Sequence, residues 1–191
     1  MKITVLFPGI GYTCDRSLLY YAGKLAASLV YEVVRVPYAG FPDGVKGNAE
    51  KMHQAFLLAL EQAERILSSI DWSAYDDIVF IGKSVGTVVA GAYAEKYRLP
   101  AHLVLLTPVM ETFDFIRRPA IAFHGTADPW ARTKDVIRKC EGTIPLYLTE
   151  GANHSLETGS VEKDIGTLLE TMKTIKEYIT EAEKTKQHII L

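Results

Sequence analysis

Cysteine is scarce in this sequence of 191 residues: Cys14 and Cys140 are the only two, and they do not form a CxxC pair. That excludes a disulfide scaffold and leaves each as a small core or helix residue of a reduced, cytoplasmic chain. No apolar run reaches the roughly 18 residues of a membrane span. The opening MKITVLFPGIG carries one lysine and a short apolar stretch before a Pro-Gly break, with no small-residue cleavage site, so a signal peptide is not expected. Charge of either sign is in little excess, the formal net being −2, which gives no reason to expect nucleic acid or an anionic membrane as partner. A small-molecule partner is expected instead. His53, His102 and His188 have no metal-ligand spacing, so neither metal nor cofactor is expected. Repeats, low-complexity stretches and linkers are absent, and the expectation is one domain over residues 1–191.

What is present is a hydrophobic fraction of 48%, enough for a core in a chain of this length. Short, nearly continuous apolar runs recur at residues 3–7, 33–36, 78–82, 103–106, 120–123 and 146–148. They do not alternate polar with apolar, which predicts strands covered on both faces by helices. Between them lie apolar residues at steps of three and four, over 17–30, 52–70, 85–97 and 161–179, with a shorter helix in WARTKDVIRKC. The tail EAEKTKQHIIL reads as a fraying helix end. Alternation of strand and helix predicts a three-layer α/β/α sandwich around an open, mainly parallel sheet of about six strands.

In such a sheet ligands bind beyond the carboxyl ends of the strands. The loops there are FPGIGYT, GKSVG, TPVMETFDFIRRP, HGTADPW and GANHSLE. GKSVG follows a strand and opens a helix, placing Ser84 on a sharp turn where Gly82 and Gly86 remove clashes with the passing backbone. A serine hydroxyl needs a base and an orienting group to act as a nucleophile. The helix start offers the Val85 N–H to a developing oxyanion. Asp128 follows the fifth strand and His154 the sixth.

Serine, acid and histidine in this order, in GKSVG, HGTADP and GANHS, resemble the α/β-hydrolase superfamily over almost the whole chain. The resemblance implies a minimal, lidless fold beginning at the family's third strand, with Ser84 as nucleophile, His154 as base and Asp128 as the orienting acid. It also implies a second oxyanion donor in the loop after the first strand, at Ile10 or, next to it, Gly11. Glu111 and Asp114, after the fourth strand, compete with Asp128, and His124 competes with His154. Lys83 reads either as an attractor of acidic substrates or as a solvated or packing residue. With only TPVMETFDFIRRP between the fourth and fifth strands there is no room for a cap, and Tyr12, Phe113, Phe115 and Trp130 are expected to line a shallow acyl pocket. The implied activity is hydrolysis of a small ester, with thioesterase, amidase and acyltransferase chemistry open to the same three residues. Two rivals stand beside it. One is a non-catalytic binding protein of the same fold. The other is a dinucleotide-binding module, for which Cys14 takes the place of the third glycine and no acid ends the second strand.

Overall fold

The computed structural model describes residues 1–45 and 47–189, with side chains described as far as Glu181. Six strands form one sheet: β1 (Lys2–Phe7), β2 (Glu32–Arg35), β3 (Asp77–Lys83), β4 (His102–Leu106), β5 (Ala120–Gly125) and β6 (Leu146–Thr149). Five α-helices are described: α1 (Ser17–Ser28), α2 (Ala49–Leu67), α3 (Val85–Lys96), α4 (Thr133–Cys140) and α5 (Val161–Ile189). The sheet order is β2-β1-β3-β4-β5-β6, and every pairing is parallel. Among the described residues no helix is long and apolar enough to cross a membrane. Residues 190 and 191, the end of the tail expected to fray, lie outside the described residues, as does the His188 side chain.

The apolar runs become strands because helices close over them. On one face Ile3, Val5, Ile78, Phe80, Leu103 and Leu105 pack with Ala59 and Ala63 of α2, Val89 and Tyr93 of α3, and Val136 of α4. On the other, Leu6, Val79, Ile81, Val104 and Phe123 pack with Leu19 and Ala22 of α1 and Ile175 and Ile179 of α5. Central β3 is buried along all seven residues, and α3 is buried from Val85 to Ala94, which suits its run of small and β-branched residues. Asn48 starts α2 by accepting the Lys51 N–H on its side chain.

Two expectations need correction. The strands at the sheet edges are not covered on both faces: β2 and β6 are only partly buried, and Tyr147 and Leu148 stand 42% and 46% exposed. An edge strand has a neighbour on one side only, so the layers thin out over it. The alternation of strand and helix also breaks once, because β4 and β5 are joined only by a short 3-10 turn over Met110–Asp114. These strands are immediate neighbours, and residues 107–119 link them by that turn without an α-helix.

The chain leaves β1 toward β2 in one direction and reaches β3 in the other. This reversal opens a crevice at the carboxyl ends of β1 and β3, where open α/β sheets take their ligands. Ser84 follows β3 there, and the Gly9–Tyr12 turn follows β1.

Candidate active site

Ser84 connects β3 directly to α3 with φ 55° and ψ −122°, a conformation that costs a side-chain-bearing residue energy and that surrounding structure must hold. Its own N–H donates to the Leu106 carbonyl at 3.0 Å and its carbonyl accepts from the Thr87 N–H at 2.9 Å, so the strained residue is pinned on both sides. A β-carbon on Gly86 would stand 2.0 Å from the Phe7 carbonyl oxygen, and one on Gly82 would stand 2.6 Å from the Gly86 oxygen. Both glycines are therefore required by backbone packed against backbone. The hydroxyl is left standing above the sheet edge.

The loops after β5 and β6 meet it. His154 Nε2 lies 2.8 Å from Ser84 Oγ, and His154 Nδ1 lies 2.7 Å from Asp128 Oδ2. With the imidazole proton on Nδ1, that N–H donates to Asp128 and Nε2 accepts the serine hydroxyl. The Trp130 N–H donates to Asp128 Oδ1 at 2.8 Å, and the Trp130 ring stacks on the imidazole at 5.3 Å between centroids. Burial pushes the Asp128 carboxyl up, but hydrogen bonds from His154 and Trp130 and the nearby imidazoles outweigh it and hold the group below the usual carboxylate range. A fixed anion thus faces one side of the ring while a hydroxyl faces the other.

His154 arrives in place because of Gly125, which the sequence reading passed over. A β-carbon there would lie 2.2 Å from the Ala152 oxygen, so only glycine lets the histidine loop run against the end of β5. The Ala127 N–H donates to that same Ala152 oxygen, and the Gly151 N–H donates to Thr126 Oγ1. The signal available in the sequence was a glycine ending a strand just before the acid.

The rival residues fall elsewhere. His124 is fully buried beneath the site, with Nε2 3.2 Å from Thr133 Oγ1 and Nδ1 3.7 Å from Asp128. Burial pulls its pKa below the ordinary imidazole value, with Asp128 opposing and His154 adding to the effect. Glu111 and Asp114 line a separate cavity of about 210 Å³ with His53, Phe56 and Phe115. In place of a dinucleotide loop, Gly9 and Tyr12 exchange backbone hydrogen bonds in a tight turn, Gly11 takes φ +70°, and α1 starts only at Ser17. The buried Cys14 thiol, pushed by burial up to about 11, is a core group.

A cavity of about 230 Å³ opens at Ser84 and His154, lined by Ile10, Gly11, Tyr12, Lys83, Val85, Trp130 and Met52 of α2. The Val85, Ile10 and Gly11 N–H groups have no acceptor among the described residues, and all three residues border this cavity. Of the four residues expected to line an acyl pocket, Tyr12 and Trp130 do so. Phe115 lines the second cavity, which shares Met52 and Val85 with the first. Phe113 instead is partly buried against the core. It lies within the tight turn at Met110–Asp114 and Phe115 just past its end, so the two rings separate. Met52 carried no signal of its own, being one apolar position among many on α2.

Of the readings open to Lys83, the solvated one fails and the packing one fits. Among the described residues it makes no salt bridge, and it is 1% exposed, with its Nζ 4.8 Å from the centre of the Tyr12 ring. Burial lowers its pKa to about 7, with Asp128 and Glu157 partly opposing. The unfolded chain, at an ordinary value near 10.4, binds a proton that the native state lacks throughout the interval above 7. Stability should therefore rise with pH from about 7 to 10 through this group, and the full charging penalty should stand below 7. Lys83→Met removes it. The variant is expected to melt higher than the parent, with a larger gain at pH 6 than at pH 9; equal gains at both would contradict a buried, depressed lysine.

No family model matches the sequence, and no curated protein matches it. Solved structures do. An α/β serine hydrolase homologue from Coxiella burnetii superposes with a TM-score of 0.69 at 17% identity, over 94% of this chain and 85% of that one. The Est1E protein of Butyrivibrio proteoclasticus, solved with ferulic acid bound, gives 0.71 at 13% identity over 95% and 89%. A Xanthomonas campestris α/β serine hydrolase described as lacking a lid gives 0.56 at 16% identity over 90% and 81%. The chain has the α/β-hydrolase fold. Among the described residues it is a minimal, lidless version, six parallel strands and five α-helices with no cap between β4 and β5. Within this α/β-hydrolase fold Ser84 occupies the strand-to-helix elbow, and His154 and Asp128 occupy loops that follow later strands of the same sheet.

Proposed function

We propose that the protein is a serine hydrolase that cleaves small carboxylic esters through an acyl-serine intermediate. The observation that carries this reading is the bridge made by His154, 2.8 Å from Ser84 Oγ on one side and 2.7 Å from Asp128 on the other. In the first half-reaction Ser84 Oγ bonds to the ester carbonyl carbon as its proton passes to His154 Nε2. The Asp128 carboxylate stabilises the resulting imidazolium. The carbonyl oxygen becomes an oxyanion to which the Val85 N–H and an N–H of Ile10 or Gly11 can donate. His154 then protonates the departing alcohol as its bond to carbon breaks. Water, deprotonated by the same imidazole, repeats the sequence and releases the acid. Cleavage of an ester by this route needs neither metal nor cofactor, and the substrate is a small molecule.

A fluorophosphonate probe followed by peptide mapping tests the reading: the adduct is expected on Ser84. No adduct, or one on Ser155 or Ser160, would overturn it and favour a binding protein. The two small cavities hold short acyl chains and leave the far end of a long one in water, each buried methylene being worth about 0.8 kcal/mol. Acetyl to hexanoyl p-nitrophenyl esters are thus expected to turn over faster than dodecanoyl esters. A kcat/KM that climbs to palmitoyl would contradict the lidless pocket.

A further inference from the structure

The Ser84 pocket contains a charge that the ester mechanism does not use. Lys83 lines the cavity beside Ser84 and His154, yet is 1% exposed. Among the described residues its ammonium makes no hydrogen bond and no ion pair, and its one partner is the face of Tyr12 at 4.8 Å. The acids that feel its charge are not free to answer it. Asp128 is held by His154 and by the Trp130 N–H, and the Glu157 residue is exposed to water. Tyr12, whose hydroxyl accepts from the Leu18 N–H, offers a ring face rather than a counter-charge. A methionine or leucine would fill the same volume without the desolvation cost of a cation. A buried amine that lines a cleft next to a nucleophile, lacking a carboxylate of its own, is an arrangement that a ligand completes.

We propose that Lys83 is the anion-binding group of this pocket, and that the preferred substrates are esters whose acyl part ends in a carboxylate a few bonds from the scissile carbonyl, as in succinyl and glutaryl half-esters. An entering carboxylate supplies the missing counter-charge in a site where water screens little, and the Tyr12 ring steadies the cation from its other side. The cavity, about 230 Å³, suits an acyl group of this size. The proposal rests on Ser84 being the nucleophile and names the acyl class it acts on.

The test compares p-nitrophenyl hemisuccinate and hemiglutarate with the neutral butyrate and valerate, by kcat/KM at pH 6 and pH 9, in the parent and in Lys83→Met. His154 serves all four esters alike, so its titration cancels in the ratio of anionic to neutral ester. Tyr12, Asp128 and Glu157 are the other titratable groups that face the lysine. At pH 6 the anionic esters are expected to be favoured about tenfold to a hundredfold, the worth of one hydrogen bond to a charged group. The preference should decline toward pH 9 as the amine loses its proton, and it should vanish in Lys83→Met. A ratio at or below one at pH 6, or a preference kept by the folded methionine variant, would overturn the proposal. Should that variant fail to fold, a ratio in the parent that stays flat between pH 6 and pH 9 does the same. Turnover of the neutral esters without any anion preference defeats only the role of Lys83. No turnover of any of the four, with no fluorophosphonate adduct on Ser84, defeats the hydrolase reading itself.

Discussion

Ser84→Ala is expected to lower ester kcat by on the order of 10⁴ to 10⁶ while leaving the melting temperature near that of the parent. Alanine keeps the β-carbon and so bears the same φ of 55° as serine, and the backbone bonds from Ser84 to Leu106 and Thr87 do not involve the hydroxyl. Only the hydroxyl oxygen is lost. His154→Ala should abolish turnover as fully, and the acid should cost less. His154→Ala removes the base, and Asp128→Asn should lower kcat by about 10³ to 10⁴ because the amide no longer fixes the imidazole tautomer. His124→Ala, in contrast, opens a cavity in a fully buried site and should act mainly on stability. Measuring turnover with four of these variants separates the roles. If Asp128→Asn kept near-normal turnover while Asp114→Asn or Glu111→Gln lost it, the acid would have to follow β4.

Gly86→Ala should unfold the elbow rather than merely slow it. Its β-carbon would lie 2.0 Å from the Phe7 oxygen and 2.5 Å from the Pro8 oxygen. Both obstacles are backbone, one at the end of central β1 and the other at the start of the turn that carries Ile10, so no rotamer change relieves them. Moving α3 away would open the core under Val89 and Tyr93. The expected loss is above about 4 kcal/mol, the range reserved for severe steric or core damage, together with loss of activity. Gly166→Ala is the control. It lies inside α5 with nothing within 4 Å of the new methyl group. There alanine should stabilise by up to about 1 kcal/mol through helix propensity. Denaturant midpoints of the two variants provide the check, and a Gly86→Ala protein as stable as the parent would mean that the close approach of α3 to β1 is wrong.

The sheet was legible in the sequence because its four inner strands are buried on both faces, and an apolar run such as VLF or IVFIG has few other uses in a chain with helical periodicity between the runs. The positions of Ser84, Asp128 and His154 at the ends of strands were legible for the same reason, since the carboxyl edge of a parallel sheet collects the loops that follow its strands. The edge strands β2 and β6 were read as covered because their residue types do not reveal that a neighbour is missing. Phe113 and Phe115 could not be told apart, as their directions depend on a 3-10 turn whose only sequence trace is its shortness.

The sequence by itself determined the order of elements, the elbow and the three residues that could form a relay, because these follow from local periodicity, glycine placement and topology. Only the tertiary structure decided how they meet. Gly125 matters because the Ala152 carbonyl, distant in sequence, passes 2.2 Å from where its side chain would be. The environment of Lys83 was decided in the same way. In the sequence it is a charge beside a serine, as ready to be solvated as not, and it becomes a buried amine with no ion pair among the described residues where Tyr12 from the β1 loop lies over it and the histidine loop lines the same cavity. Burial and counter-charge are sums over neighbours brought together from separate parts of the chain, and no local pattern encodes such a sum.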